Sequence, residues 1–281
     1  MKKNKHKYDI KKACKILKIS RSGFYEYLNR KPSSRFLENE VLITEITAIF
    51  EEHKARYGCI RITKELQNRG IIVNRKRVSK LMRKVGLMAK GARKNYQNYT
   101  KKNNNQEKAN LLNQIFHTDS LNKVWVGDIT YIPTLEGTLY LAVFIDLYSR
   151  KVVGWSMNKR MKEELVIDAF LQAYGKEKPP KGLIVHTDQG SQYTGEAFRS
   201  IVENNGGNIS NSRKGNPYDN AIMESFYRTL KRELINDAHY IHRQQAQQDK
   251  YIEIYYNTKR MHSALNFQTP TQFEKNILST N

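Results

Sequence analysis

The stretch Val124-Trp125-Val126-Gly127-Asp128-Ile129-Thr130-Tyr131-Ile132 decides the fold. β-Branched and aromatic residues dominate it, and a two-residue period puts Val124, Val126, Asp128 and Thr130 on one face. A carboxylate on a half-buried strand is costly without a partner, so Asp128 calls for more than a packing explanation. Two more β-rich runs, residues 138–145 and 151–157, follow after Pro133-Thr134-Leu135-Glu136-Gly137 and Asp146-Leu147-Tyr148-Ser149-Arg150, which predicts an antiparallel meander. Next comes an amphipathic helix over about 162–174, with Leu165, Ala169, Phe170 and Ala173 on one stripe, ended by Gly175 and Pro179-Pro180. A short buried strand is expected at 183–186, a helix at 196–205, a brief strand at 208–210, a loop at 213–218 and a last helix at 220–234. The expected class is therefore α/β, a mixed sheet flanked by helices.

Two further acids stand at particular points of this pattern. Asp188 lies just beyond the fourth strand, in His186-Thr187-Asp188-Gln189-Gly190-Ser191-Gln192-Tyr193, and Glu224 lies near the start of the last helix. Magnesium takes oxygen ligands from carboxylates and substrate phosphate, and two such ions can stabilise both oxygens of an in-line phosphoryl displacement. Asp128, Asp188 and Glu224 suit that chemistry. Each also has an ordinary reading: a buried Lys or Arg partner for Asp128, an Asx turn for Asp188, an i,i+4 pair with Arg228 for Glu224. Asp146 and Asp219 are competitors at strand and helix ends. No Gly-x-Ser-x-Gly, His-Glu-x-x-His or Walker loop offers another nucleophile or metal motif.

Charge divides the chain. Lys and Arg number 49 against 27 Asp and Glu among 281 residues, a net +22; residues 1–120 hold 29 against 10, the remainder 20 against 17. So lopsided an excess opposes compaction unless a polyanion neutralises it, and nucleic acid is the natural counter-charge. The upstream half reads as all-α. Ile10, Ala13, Cys14 and Leu17 recur at helical spacing, Ser20 is an N-cap, and Phe24 and Leu28 lie on a second helix whose start exposes Arg21 and Ser22, as in a helix-turn-helix. A long helix over about 38–53 precedes a second unit, in which Asn74 caps a helix with a buried stripe of Val78, Leu81, Met82 and Val85 and with Arg75, Lys76, Lys80, Arg83 and Lys84 outward. Residues 88–110, rich in Lys and Asn, read as a linker lying on phosphates, with Tyr96 and Tyr99 as stacking groups. Cys14 and Cys59 form no disulfide or zinc pattern, which suits a reducing compartment, and no apolar run suits a signal core or membrane span.

The spacing of the acids leaves 35 residues between Asp188 and Glu224, and here the sequence resembles the D,D-35-E transposases and retroviral-type integrases. More narrowly, Asp128-Ile129-Thr130-Tyr131-Ile132, Tyr140-Leu141-Ala142-Val143-Phe144-Ile145-Asp146, Ser149-Arg150-Lys151-Val152-Val153-Gly154-Trp155, the His186 to Tyr193 run and Asn216-Pro217-Tyr218-Asp219-Asn220 match the IS-three family of bacterial insertion sequences. Its second-frame product, OrfB, is the best match, and the similarity continues in Arg56-Tyr57-Gly58, Tyr256-Asn257, Arg260, His262, Leu265 and Thr269-Pro270.

The resemblance implies a ribonuclease H-like core in which Asp128, Asp188 and Glu224 bind magnesium, two ions with manganese as a substitute, and catalyse DNA strand cleavage and transfer. It implies His186 and Asn220 as supporting groups and Arg228 and Lys231, on the face of Glu224, as DNA contacts, with Ile222, Phe226 and Leu230 inward. The turn bearing Lys259, Arg260 and His262 is expected beside the core and touching DNA. The expected organisation is a helix-turn-helix-like segment 1–35, a second DNA-binding domain 36–87, a basic linker 88–121, the catalytic core 122–235 and a helical extension 236–281. Partners would be double-stranded DNA of the element's terminal repeats and target, a multimer on that DNA, and a first-frame product, whose leucine zipper has no counterpart here; the compartment would be the bacterial cytoplasm, with nucleoid association. The alternative is a DNA-binding regulator or accessory subunit of transposition without catalysis.

Overall fold

The computed structural model describes residues 9–91, 118–212 and 221–279. The chain divides into two compact units, residues 1–88 and 89–281. Among the described residues no helix is long and apolar enough to cross a membrane.

The first unit is helical: α1 (Ile10–Ile16), α2 (Arg21–Asn29), α3 (Ser34–Glu52), α4 (Cys59–Asn68) and α5 (Arg75–Lys84). The starts follow side-chain capping, because Ser20 accepts from Gly23 N, Ser33 from Phe36 N and Asn74 from Lys76 N. Leu42, Ile46 and Ile49 of α3 pack with Ile62 and Leu66 of α4 and Val78, Leu81 and Met82 of α5, while His53 stacks on Tyr57 at 3.7 Å. Two expected core residues are outside it. Val85 is 39% exposed and Leu17 56%, since each is the residue just past the helix, where the chain has left the apolar face.

The second unit is built on a five-stranded sheet in the order β3-β2-β1-β4-β5, from β1 (Val124–Ile132), β2 (Leu139–Asp146), β3 (Val152–Asn158), β4 (Ile184–Thr187) and β5 (Asn208–Asn211). β1, β2 and β3 form the expected antiparallel meander, and β4 joins β1 in parallel, with β5 parallel beyond it. This is the mixed α/β architecture read from the sequence. Helix α6 (Glu163–Glu177) lies on the sheet and approaches it most closely at Gly154, where a Cβ would come within 2.3 Å of the Ala169 carbonyl. Gly175 does not end α6; the helix runs through it to Glu177 and stops at Lys178 in the left-handed region, before the two prolines. A glycine inside a helix is a cost of about 1 kcal/mol relative to alanine, which a buried stripe of this length outweighs.

The short helix α7 (Ser191–Thr194), which periodicity could not signal, fills the corner after β4, and α8 (Glu196–Asn204) leads back to β5. Trp125, Phe144, Phe170, Tyr193 and Phe198 form the centre of the core. Helix α9 (Ala221–Glu233) follows, then α10 (Arg243–Gln247), a π-helical turn Tyr251–Tyr256 and α11 (Pro270–Leu278). These last elements close the sheet edge at β3: Asn257 both accepts from Val152 N and donates to Val152 O, at 2.9 Å each, as a neighbouring strand would.

Candidate active site

Strand pairing sets the position of two of the acids. β1 and β4 run parallel with Gly127 beside Thr187, so Asp128 and Asp188, the next residue on each chain, leave adjacent strands at the same level. Gly127 is required by its neighbour, because a Cβ there would meet the Phe144 ring at 2.4 Å. Beyond Thr187 the chain is held by β5 and the residue after it: Ser212 N donates to the Thr187 carbonyl at 2.9 Å, and Asn211 Nδ2 to the Asp188 carbonyl at 3.1 Å. Both carboxylates are half-buried. Asp128 Oδ1 accepts from Ile129 N at 2.7 Å and Asp188 Oδ1 from Gly190 N at 3.0 Å, the second being the Asx turn that the ordinary reading anticipates.

Helix α9 is tied to the same point of the sheet. The Tyr227 hydroxyl donates to the Asp128 carbonyl, and Tyr227 lies one helical turn beyond Glu224. Glu224 is exposed and, among the described residues, forms no ion pair with Arg228 or any other group. No group of three His, Cys, Asp or Glu side chains among the described residues is gathered closely enough to hold a metal ion. The structure thus brings Asp128 and Asp188 to adjacent positions, and carries Glu224 on the helix bound beside them without closing the trio.

Two phenols lie under the carboxylates. Burial above all, and then the charges of Asp128 and Asp188, hold both Tyr193 and Tyr227 well above the ordinary tyrosine range. Sequence reasoning gave neither a role. Tyr227 carries only a helical spacing from Glu224 as signal, and Tyr193 only its place in the run that begins at His186.

The supporting residues divide. His186 is fully buried, with Nδ1 2.9 Å from Ser210 Oγ on the neighbouring strand; Asn220 and Asp219 lie outside the described residues. On α9, Arg228 is exposed, Lys231 lies over the Tyr131 ring at 4.6 Å, and the inward face is Met223, Phe226, Tyr227 and Leu230, with Ile222 only half-buried. Asp146, the competitor at the end of β2, is fully buried and accepts from Ser149 N, Ser149 Oγ and Asn122 N, so it builds the turn into β3.

Arg260 departs from expectation. It is 4% exposed and grips Glu233, itself 1% exposed, through Nε and Nη2 at 2.9 to 3.1 Å, while Tyr251 donates to the same carboxylate at 2.8 Å. A guanidinium so engaged has no face left for a phosphate, so Arg260 fastens the end of α9 to the C-terminal elements and does not meet DNA.

In the first unit, Arg21 and Ser22 are exposed at the start of α2, and Arg75, Lys76, Lys80, Arg83 and Lys84 are exposed on α5. Lys84 also meets Glu40 at 3.2 Å. Arg77, between them, is turned inward to Glu38 and Asn39, both at 2.9 Å. Residues 92–117, with Tyr96 and Tyr99, lie outside the described residues. Lys90, placed in the linker by its composition, pairs with Asp237 at 3.1 Å.

Comparison with known proteins completes the site's context. Residues 118–217 and 205–270 each match a family model described as Integrase core domain, and residues 37–95 match one described as HTH-like domain. A helix-turn-helix-like region joined to an integrase core is the organisation of a DNA-transposing enzyme. The chain is 60% identical over 250 residues to the transposase for insertion sequence element IS904 of Lactococcus lactis subsp. lactis (strain IL1403), covering 88% of this chain and 99% of the relative. It is 40% identical over 281 residues to the transposase InsF for insertion sequence IS3A of Escherichia coli (strain K12), covering 99% and 98%. Among solved structures, the HTLV-2 integrase catalytic core domain in complex with magnesium matches 54% of this chain and 96% of its own at 21% identity, with a TM-score of 0.42. The chain belongs to the IS3-family transposases, enzymes of the polynucleotidyl transferase class.

Proposed function

We propose that this transposase cleaves the ends of its insertion sequence and joins them to DNA in a divalent-metal-dependent reaction in which Asp128, Asp188 and Glu224 are the metal ligands. The observation that carries the reading is the parallel register of β1 and β4, which sets two carboxylates side by side at the mouth of the sheet, together with the Tyr227 bond that fixes the helix of Glu224 to Asp128. The donor set is all carboxylate oxygen, which fits magnesium or manganese rather than a softer ion. When bound, two such ions would neutralise charge on the attacking and leaving oxygens of the scissile phosphate.

The chain's own residues do the rest. Asp128 and Asp188 sit on rigid strands, so their separation is set by sheet geometry. Glu224 rides on α9 and completes the set from the other side. Arg228 and Lys231 lie one and two turns further along that helix and meet the phosphates flanking the cut. His186 packs beneath β4 against Ser210 and fixes the strand end rather than the substrate. In the first unit, the cations of α5 and the exposed start of α2 supply phosphate contacts that position the terminal repeat, and the holding of two DNA ends calls for a multimer.

The test is to incubate the purified chain, with and without a first-frame partner, with labelled DNA carrying the element's ends and magnesium, and to resolve nicked from joined strands. Joined product that disappears in Asp188→Asn while DNA binding persists supports the proposal. Binding without cleavage in either protein would favour the accessory DNA-binding reading.

A further inference from the structure

Beneath the carboxylate pair lies a polar atom that the proposed reaction does not use. Tyr193, five residues beyond Asp188, is 1% exposed, and its hydroxyl makes no hydrogen bond among the described residues. Buried polar groups are nearly always satisfied, so an orphaned hydroxyl beside a functional centre calls for a reason. Packing does not supply one. The ring lies 5.5 Å from Phe198 and 6.4 Å from Phe144, both edge to face, in a setting that phenylalanine would fill as well.

The position of Tyr193 refers to both acids at once. Its amide donates to the Gly190 carbonyl, on the turn that Asp188 Oδ1 closes by accepting from Gly190 N. Its aromatic neighbour Phe144 is the register partner of Gly127, the residue before Asp128. The charges of Asp128 and Asp188 are the two that act most on the phenol after burial itself, which keeps its proton in place across the physiological range.

We propose that the Tyr193 hydroxyl is a positioning donor to the Asp128–Asp188 pair, holding one of these carboxylates in the orientation that receives a divalent cation. The proposal rests on the metal-ligand reading of those two residues. Each carboxylate already takes one backbone amide on Oδ1, and an ionised carboxylate has about four lone-pair sites, so a buried O–H adds to the set without displacing a bond. Ligand carboxylates are held in aim by such outer hydrogen bonds, and loss of one typically lowers metal affinity about 10- to 100-fold.

The test uses the full chain as wild type, Tyr193→Phe, Asp188→Asn and the double variant, with Mn2+ alone as the probe. Electron paramagnetic resonance of free Mn2+ gives the affinity, and thermal unfolding without metal gives the stability. The expected result is that wild type binds through Asp188, that Tyr193→Phe binds about tenfold more weakly or worse with a metal-free midpoint equal to or above wild type, and that Tyr193→Phe has no effect in the Asp188→Asn background. Equal affinity in Tyr193→Phe and wild type overturns the proposal while leaving the ligand reading intact. A lowered metal-free midpoint, or the same loss of affinity with Asp188 already removed, makes the hydroxyl structural and overturns it as well. Binding that is indifferent to Asp188→Asn sinks the ligand reading, and this inference with it.

Discussion

The Tyr227 hydroxyl donates to the main-chain carbonyl of Asp128, so a helix and a strand far apart in sequence meet at the residue that bears the first acid. One turn upstream of Tyr227 is Glu224, and the bond therefore sets how far that carboxylate stands from the strand pair. Tyr227→Phe keeps the ring in its pocket and removes only the tie. The loss should cost about 1 to 3 kcal/mol, because the carbonyl is left unsatisfied on the inner side of the helix. Strand transfer should fall by about 10- to 100-fold, as a small displacement of a reacting group does. Urea denaturation and the rate of joined-product formation measure the two; an unchanged rate with lowered stability would separate the tie from the chemistry.

The pair Arg260–Glu233 leads to a second expectation. Both ends are buried, and removal of one leaves an uncompensated charge, so Arg260→Met should destabilise the second unit by about 3 to 5 kcal/mol. Replacing both, as Glu233→Leu with Arg260→Met, should recover most of that loss. The salt dependence of DNA binding, measured on protein folded at low temperature, should not change in either variant. A reduced salt slope in Arg260→Met would restore Arg260 to the DNA surface and refute the buried assignment.

The sheet was legible because its strands announce themselves by composition and alternation, and the acids because a carboxylate in the middle of β1 contradicts its surroundings. What the sequence withheld depends on contacts between distant segments. Arg260 reads as a basic turn residue until Glu233, 27 positions earlier, is seen beside it. Val85 fits the apolar stripe of α5 by spacing, yet the helix ends at Lys84 and the stripe ends with it. Gly175 is a stop signal by type, but α6 has a fully buried face from Leu165 to Ala173 that carries the helix past it. Tyr193 and Tyr227 look like ordinary aromatic residues at helical spacing, and only the folded arrangement shows that both phenols lie under the carboxylates.

On α5, the cations separate into two groups that composition cannot distinguish. Lys80 and Arg83 are outward, whereas Arg77 spends its guanidinium on Glu38 and Asn39. Lys80→Ala should weaken binding to all DNA sequences alike and lower the slope of log affinity against log salt by about 0.9. Arg77→Ala should leave that slope unchanged and lower stability of the first unit by about 1 kcal/mol. Titrations at several salt concentrations, with circular dichroism melts, decide between the two assignments.

Three buried phenols give the second unit a characteristic response to alkali. Tyr193, Tyr227 and Tyr251 are all held well above 10, chiefly by burial and further by Asp128, Asp188 or Glu233 nearby. Above about pH 10 the unfolded chain loses these protons while the folded one keeps them, so the folded state binds more protons and stability falls as pH rises. Each group contributes about 1.4 kcal/mol per pH unit, which makes about 4 kcal/mol per unit for the three until their folded-state values are reached. Below pH 10 they contribute no slope. Lys151 acts in the same direction: burial opposes its charge, but the hydrogen bonds and charges of Glu274 and Glu177 outweigh burial and raise it. A variant with all three tyrosines replaced by phenylalanine should therefore retain a shallow decline and lose the steep one. Denaturant midpoints from pH 8 to 11, with tyrosinate absorbance followed in parallel, would show it. A wild-type protein whose tyrosines all ionise near pH 10 without loss of structure would mean that these phenols are open to water, and the burial that shapes the site would be wrong.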